Sequence, residues 1–81
     1  MTILVLFFAG ARDRAGSASV SITLPDGSRV SDALAALERE HPGLAELRPH
    51  LAVAVDRRLS GPDALLANGA ELALLPPVSG G

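Results

Sequence analysis

The chain ends in Pro76-Pro77-Val78-Ser79-Gly80-Gly81, and these residues are the ones best suited to chemistry. Two prolines favour an extended, semi-rigid segment that leads away from whatever precedes it. Gly80 and Gly81 carry no side chains. The end is therefore thin, its last carbonyl is unhindered, and it fits a narrow channel that a larger residue would block. The terminal carboxyl, with a reference pKa of about 3.3–3.7, is ionised at neutral pH. A carboxylate is a poor electrophile and needs activation, for which adenylation by ATP is the usual route. Sulfur delivered to the acyl-adenylate gives a thiocarboxylate, whose soft sulfur is a good nucleophile. The chain has no cysteine, so any sulfur it carries has to ride on that terminus.

No other residues form a chemical constellation. His41 and His50 are isolated, and without cysteine no His/Cys set can be completed, so no metal site is expected. No acid–base pair, phosphate loop or nucleophile elbow is present. Asp56-Arg57-Arg58 reads as a wet turn. All seven cations are arginine (Arg12, Arg14, Arg29, Arg39, Arg48, Arg57 and Arg58), so no side-chain amine is available for a Schiff base or for receiving an isopeptide bond. The net charge of -2, with no basic cluster, argues against nucleic acid as a partner. The apolar start, Met1 to Ala9, is far short of a membrane span and has no charged region before it, which points to a strand of a cytoplasmic protein and away from membranes. With 81 residues the chain is one small domain, burying about 60% of its unfolded surface or a little more, which leaves little material for an enclosed active site.

The elements that must position the tail follow from periodicity. Thr2 to Ala9 is a continuous apolar run rich in strand formers, the pattern of a central strand covered on both faces. Gly10 to Ser17 is polar and flanked by glycine, and reads as a loop. Val20, Ile22 and Leu24 alternate with Ser19, Ser21 and Thr23, giving a strand with one wet face. Pro25-Asp26-Gly27 turns the chain. Ser31 reads as a helix N-cap, with Asp32 suited to the positive end of the helix dipole. Ala33, Leu34 and Leu37 then recur at helical spacing, and His41-Pro42-Gly43 ends the helix. Leu44 to Leu47 add one short turn. Leu51 to Val55 read as a further buried strand, followed by a short strand around Leu59. Glu71 to Leu75 is the last strand, stopped by Pro76 and Pro77, which cannot donate to a sheet ladder.

The order is strand, strand, helix, then two or three strands. One helix on one face of a mixed sheet is the economical packing for it. The expected fold is therefore α+β, the ubiquitin-like β-grasp, with residues 1–75 as the domain and 76–81 as an extended, flexible C-terminal tail.

The sequence resembles a known family at both ends. Leu75-Pro76-Pro77-Val78-Ser79-Gly80-Gly81 is similar to the ending of molybdopterin synthase small subunits, and Phe7-Phe8-Ala9 followed by Arg12-Asp13 resembles their opening strand. Ala54-Val55-Asp56 to Leu59 and Asn68-Gly69-Ala70-Glu71 fall where that family has its middle and last strands. The chain departs from the family at Asp56, where asparagine is frequent, and at Leu74 and Leu75, where aromatic residues are frequent.

The resemblance implies a sulfur carrier. An E1-like adenylating enzyme uses ATP to activate Gly81, and a sulfur donor converts it to the thiocarboxylate. The tail then enters the large synthase subunit, in a heterotetramer, and gives sulfur to cyclic pyranopterin monophosphate in molybdopterin synthesis. The catalytic pocket belongs to the large subunit, and the carrier itself binds no cofactor. Related carriers serve thiamine, cysteine or tRNA thiolation. The remaining alternatives are a protein modifier acting through Gly81 and an interaction module without terminal chemistry.

Alternation also assigns a partner face. Ile3, Val5 and Phe7 point one way, and Leu4, Leu6 and Phe8 the other. One set faces the helix, and the other lies bare on the open sheet unless a partner covers it. The family resemblance marks Phe8, Leu59 and Leu75 as partner-facing, with Arg12 as a polar contact and Pro76, Pro77, Val78 and Ser79 continuing the interface into Gly80 and Gly81. Ordering Val78 to Gly81 costs roughly 4–8 kcal/mol. Burying three large apolar side chains returns roughly 5–9 kcal/mol, so the sheet face is expected to supply much of the binding.

Overall fold

The computed structural model describes residues 1–76. Five strands form one mixed sheet in the order β2-β1-β5-β3-β4: β1 (Thr2–Phe7), β2 (Ser19–Thr23), β3 (Ala52–Val55), β4 (Arg58–Leu59) and β5 (Glu71–Leu75). The two hydrophobic strands from opposite ends of the chain, β1 and β5, lie side by side and parallel, with Leu4 to Phe7 in register with Glu71 to Leu74. β2 and β3 flank them antiparallel. Strand order and the helix position agree with the expected β-grasp.

Three helices accompany the sheet: α1 (Ala9–Ala15), α2 (Val30–Glu40) and the single turn α3 (Leu44–Leu47), which runs on into a 3-10 turn at Arg48–His50. α2 places Val30, Ala33, Leu34 and Leu37 in the core with Ile3, Val5, Phe7, Leu72 and Leu74. The ring of Phe7 meets His41, the residue ending α2, edge-on at 6.0 Å. Gly27 completes the expected turn with φ 85°, a conformation open to glycine at no steric cost.

Four expectations are corrected. Gly10 to Ser17 is mostly helix: α1 buries Ala11 in the core, Gly16 ends it at φ 78°, and Arg14 ties it to α3 by a 3.0 Å ion pair with Glu46. Tertiary packing on Ala11 outweighs the loop-like composition. Ser31 is not the cap of α2, which begins two residues earlier than expected, at Val30 with Arg29 as its cap. The Asp32 carboxylate accepts the Arg29 N–H at 2.8 Å, while the Val30 and Ser31 N–H groups donate to Ala64 and Pro62 carbonyls at 2.9 Å. With those amides occupied, no hydroxyl cap is required. β1 is covered on one face only, since Ile3, Val5 and Phe7 are buried while Leu4 is 40% exposed. Finally, β3 begins at Ala52 and buries only Ala54; Val53 and Val55 pack against the core but stay half-buried, Val53 because it lines an open groove beside α2.

Candidate functional site

The face of the sheet opposite α2 is the candidate site, and cross-strand register defines it. Leu6 lies beside Ala73, Ala73 opposite Ala54, and Ala54 opposite Leu59, so these four side chains form one row across the sheet. The next row joins Leu75 to Ala52. Phe8 enters at its other side, where the Phe8 N–H donates to the Leu74 carbonyl at 3.2 Å just as the chain leaves β1 for α1. Leu4 completes the apolar patch toward the other end of β1, opposite Ser21.

The patch is open to solvent. Phe8 is 43% and Leu59 72% exposed, Leu75 is half-buried and Pro76 exposed. Small side chains at Ala52, Ala54 and Ala73 keep the floor between Phe8 and Leu59 low, so the two large residues border a shallow apolar surface. An exposed contiguous patch of this kind marks a protein–protein contact more often than it marks chemistry.

The structure thus gathers Phe8, Leu59 and Leu75 on one face, and Pro76 is exposed just beyond the end of β5. Arg12 is exposed on α1, one turn beyond Phe8, whose carbonyl accepts the Arg12 N–H at 3.4 Å, and it lines a shallow polar depression with Asp13, Gly16, Ser17 and Ala18. Among the described residues it makes no ion pair. Pro77, Val78, Ser79, Gly80 and Gly81 lie outside the described residues. Leu4 and Leu6 belong to the patch as well; the period-two alternation of β1 marks both. Ala52, Ala54 and Ala73, which form its floor, carry no sequence signal because alanine is equally at home in a core, a helix or a surface.

Leu59 stands at a border. It also lines a groove of about 490 Å³ between α2 and β3, shared with Val30, Leu34, Pro49, Val53 and Pro62. Arg48 sits at that groove and is held by a 2.6 Å ion pair to Glu38.

The departures at Asp56, Leu74 and Leu75 now separate by position. Asp56 occupies the β3–β4 turn, where its Oδ1 accepts the Glu71 N–H at 3.0 Å and its own N–H donates to the Glu71 carbonyl at 2.9 Å. An asparagine carbonyl accepts the same bond, so this exchange keeps the turn. Leu74 is buried in the core, and only Leu75 bears on the open face. No helix among the described residues is long and apolar enough to cross a membrane.

A mixed five-stranded sheet with one main helix across one face and an apolar opposite face that no other described residue covers defines a ubiquitin-like protein of the β-grasp type. Within that class the chain belongs to the ThiS family, whose model matches residues 5–81. It is 34% identical over 79 residues to the molybdopterin synthase sulfur carrier subunit of Arabidopsis thaliana, covering 98% of this chain and 82% of that protein. The crystal structure of Haloferax volcanii small archaeal modifier protein 1 superposes with a TM-score of 0.85 at 32% identity, covering 95% of this chain and 98% of that one. The complex of subunits 1 and 2 of the molybdopterin-converting factor from Helicobacter pylori contains a chain that matches at TM-score 0.70 and 29% identity, with 100% of both chains covered.

Proposed function

We propose that this chain is the sulfur carrier subunit of a molybdopterin synthase, carrying sulfur as a thiocarboxylate on Gly81. The observation that carries this reading is the apolar open face bearing Phe8, Leu59 and Leu75, ending where β5 delivers the chain into Pro76. It is supported by full-length similarity to sulfur carrier subunits.

The chemistry is divided between partners. On an E1-like enzyme the Gly81 carboxylate attacks the α-phosphorus of ATP, and pyrophosphate leaves. Sulfide then attacks the acyl carbon, AMP departs with the electron pair of the broken C–O bond, and loss of the sulfur-bound proton leaves the thiocarboxylate. The thiocarboxylate enters the pocket of the large synthase subunit and gives its sulfur to cyclic pyranopterin monophosphate, and hydrolysis of the acyl group returns the carboxylate. The dithiolene product holds two sulfurs, so each product consumes two charged carriers.

This chain's residues bind and deliver. The open face docks on the large subunit, as befits a relative solved in complex with a second subunit. The carrier binds no cofactor of its own, since ATP is bound and used by the activating enzyme, and the reaction runs in the cytoplasm.

A second reading comes from the relative named a modifier protein. There an amine of another protein would displace AMP and form an amide through Gly81. The lysine-free sequence excludes chains built through lysines of the carrier itself.

Intact-mass measurement after incubation with ATP, an activating enzyme and a sulfide source separates the readings. The carrier reading expects the mass to rise by the difference between a sulfur and an oxygen atom, with no rise when Gly81 is deleted. Sulfur appearing in the pterin after the large subunit and precursor are added assigns the pathway. Amide adducts on other proteins, with no sulfur uptake beside a competent control carrier, would replace it with the modifier reading.

A further inference from the structure

The sheet has one long uncovered edge, β2, and its ladder identifies the groups that are free. The Phe7 N–H donates to the Ala18 carbonyl at 2.8 Å, while Met1 and Leu24 exchange bonds of 2.7 and 2.9 Å. In an antiparallel ladder such positions alternate with ones whose N–H and C=O point away from the neighbour. Val20 and Ile22, in register with Val5 and Ile3, therefore turn their peptide groups toward β1. Ser19, Ser21 and Thr23 turn theirs outward. Among the described residues the one further bond to these groups is a long one, 3.4 Å from the Ser17 hydroxyl to the Ser19 carbonyl.

Exposed edges are ordinarily guarded by charge, proline or a bulge. This one has none of these. From Ser17 to Leu24 there is no charged residue and no proline, and the register with β1 runs unbroken from Ser19 to Thr23. On the helix side of the same edge a groove of about 520 Å³ lies between β2 and α2, with Ile22, Leu24 and Ala36 among its lining and Arg39 and Glu40 at its rim. Neither rim residue forms an ion pair among the described residues.

We propose that this edge pairs with a second copy of the chain, β2 against β2 antiparallel about a two-fold axis at Ser21. Ser21 then faces Ser21 of the other copy and Ser19 faces Thr23, making about six new backbone hydrogen bonds at the outward-facing positions. On the helix side Val20 meets Ile22 of the other copy. The rim charges favour self-pairing over a charged foreign strand. A strongly acidic segment would be opposed by Glu40 and a strongly basic one by Arg39, whereas an identical copy brings one charge of each sign.

The two-fold axis runs normal to the sheet, so both α2 layers lie on one side and both open faces on the other. The two β5 strands run in opposite directions, which puts their Leu75 ends at opposite ends of the doubled sheet. Self-pairing thus leaves Phe8, Leu59 and Leu75 uncovered, and it neither requires nor obstructs the carrier reading.

Sedimentation equilibrium of the full chain, over a concentration series reaching roughly 1 mM, tests the pairing in the weak-affinity range expected of so small a contact. The weight-average mass is expected to climb from 8.3 kDa toward twice that value. Ser21→Asp and Ser21→Arg each set like charges against each other at the axis, and each variant is expected to stay monomeric with unchanged circular dichroism. An equimolar mixture of the two is expected to recover the dimer. A monomer throughout the series overturns the proposal. So does a dimer that neither variant weakens, or a mixture that fails to reassociate.

Discussion

The two faces of the sheet are built from the same strands and both carry apolar side chains at their centre, yet they differ in everything that follows from burial. On the α2 face, Ile3, Val5, Phe7, Leu72 and Leu74 are enclosed by Val30, Leu34 and Leu37. On the other, Leu4, Phe8 and Leu59 remain open, over a floor of alanines. Hydrophobic residues alternate with polar ones where a strand has one wet face. In β1 they do not alternate, so the second face is apolar there without a covering layer among the described residues. Such a surface contributes little to the stability of the isolated chain and becomes useful when a partner removes it from water.

The largest expected effect belongs to the enclosed face. Leu72→Ala removes a fully buried side chain from beneath α2, and the surrounding core can collapse only partly around the space. The loss is expected to be about 2–5 kcal/mol, read by denaturant unfolding. A loss well under 1 kcal/mol would mean that the two faces are not energetically distinct and would break the comparison.

Phe8→Ala makes the complementary cut on the open face. Phe8 already keeps 43% of its surface in water, so truncation is expected to cost stability no more than about 1.5 kcal/mol. Affinity for the partner subunit is expected to fall by about tenfold or more, as for an aromatic anchor in an interface centre. Calorimetric titration beside thermal unfolding decides the matter. Parallel loss of stability and binding would place Phe8 in the core.

How much of this was legible in the sequence depended on how strongly a local pattern was tied to one tertiary outcome. Val20, Ile22 and Leu24 alternate with hydroxyl residues, and only a half-wet strand satisfies that pattern. Ala33, Leu34 and Leu37 likewise fix which side of α2 is buried. The open face was readable from Phe8 and the Leu4–Leu6 alternation because parity in a strand translates directly into sides. α1 was not readable. Its stabilisation comes from Ala11 entering the core and from Arg14 reaching Glu46 more than thirty positions on, contacts that a local window does not contain. The start of α2 was missed for the same reason, since its first amides are satisfied by carbonyls of the Pro62–Ala64 segment instead of by a neighbouring hydroxyl. The buried reading of Leu51 to Val55 failed because composition says nothing about the groove left open between Val53 and the residues of α2.

The smallest expected effect lies at the β3–β4 turn, which belongs to neither face. Asp56 and Arg57 sit there at φ 49° and 70°, the left-handed pair that a two-residue hairpin demands. Asp56 is retained by its two hydrogen bonds to Glu71, and its short polar side chain tolerates this region. Arg57 has neither justification: it is exposed and its side chain makes no hydrogen bond or ion pair among the described residues. Arg57→Gly converts the turn to the Asp-Gly sequence that this geometry prefers and is expected to raise stability by up to about 1 kcal/mol. Partner affinity is expected to stay unchanged, because the substitution keeps the backbone of the turn and so leaves Leu59, two positions on, in its place opposite Ala54. A stabilised variant with weakened binding would extend the partner surface from the open face to this turn, and the division between a face that folds and a face that binds would have to be redrawn there.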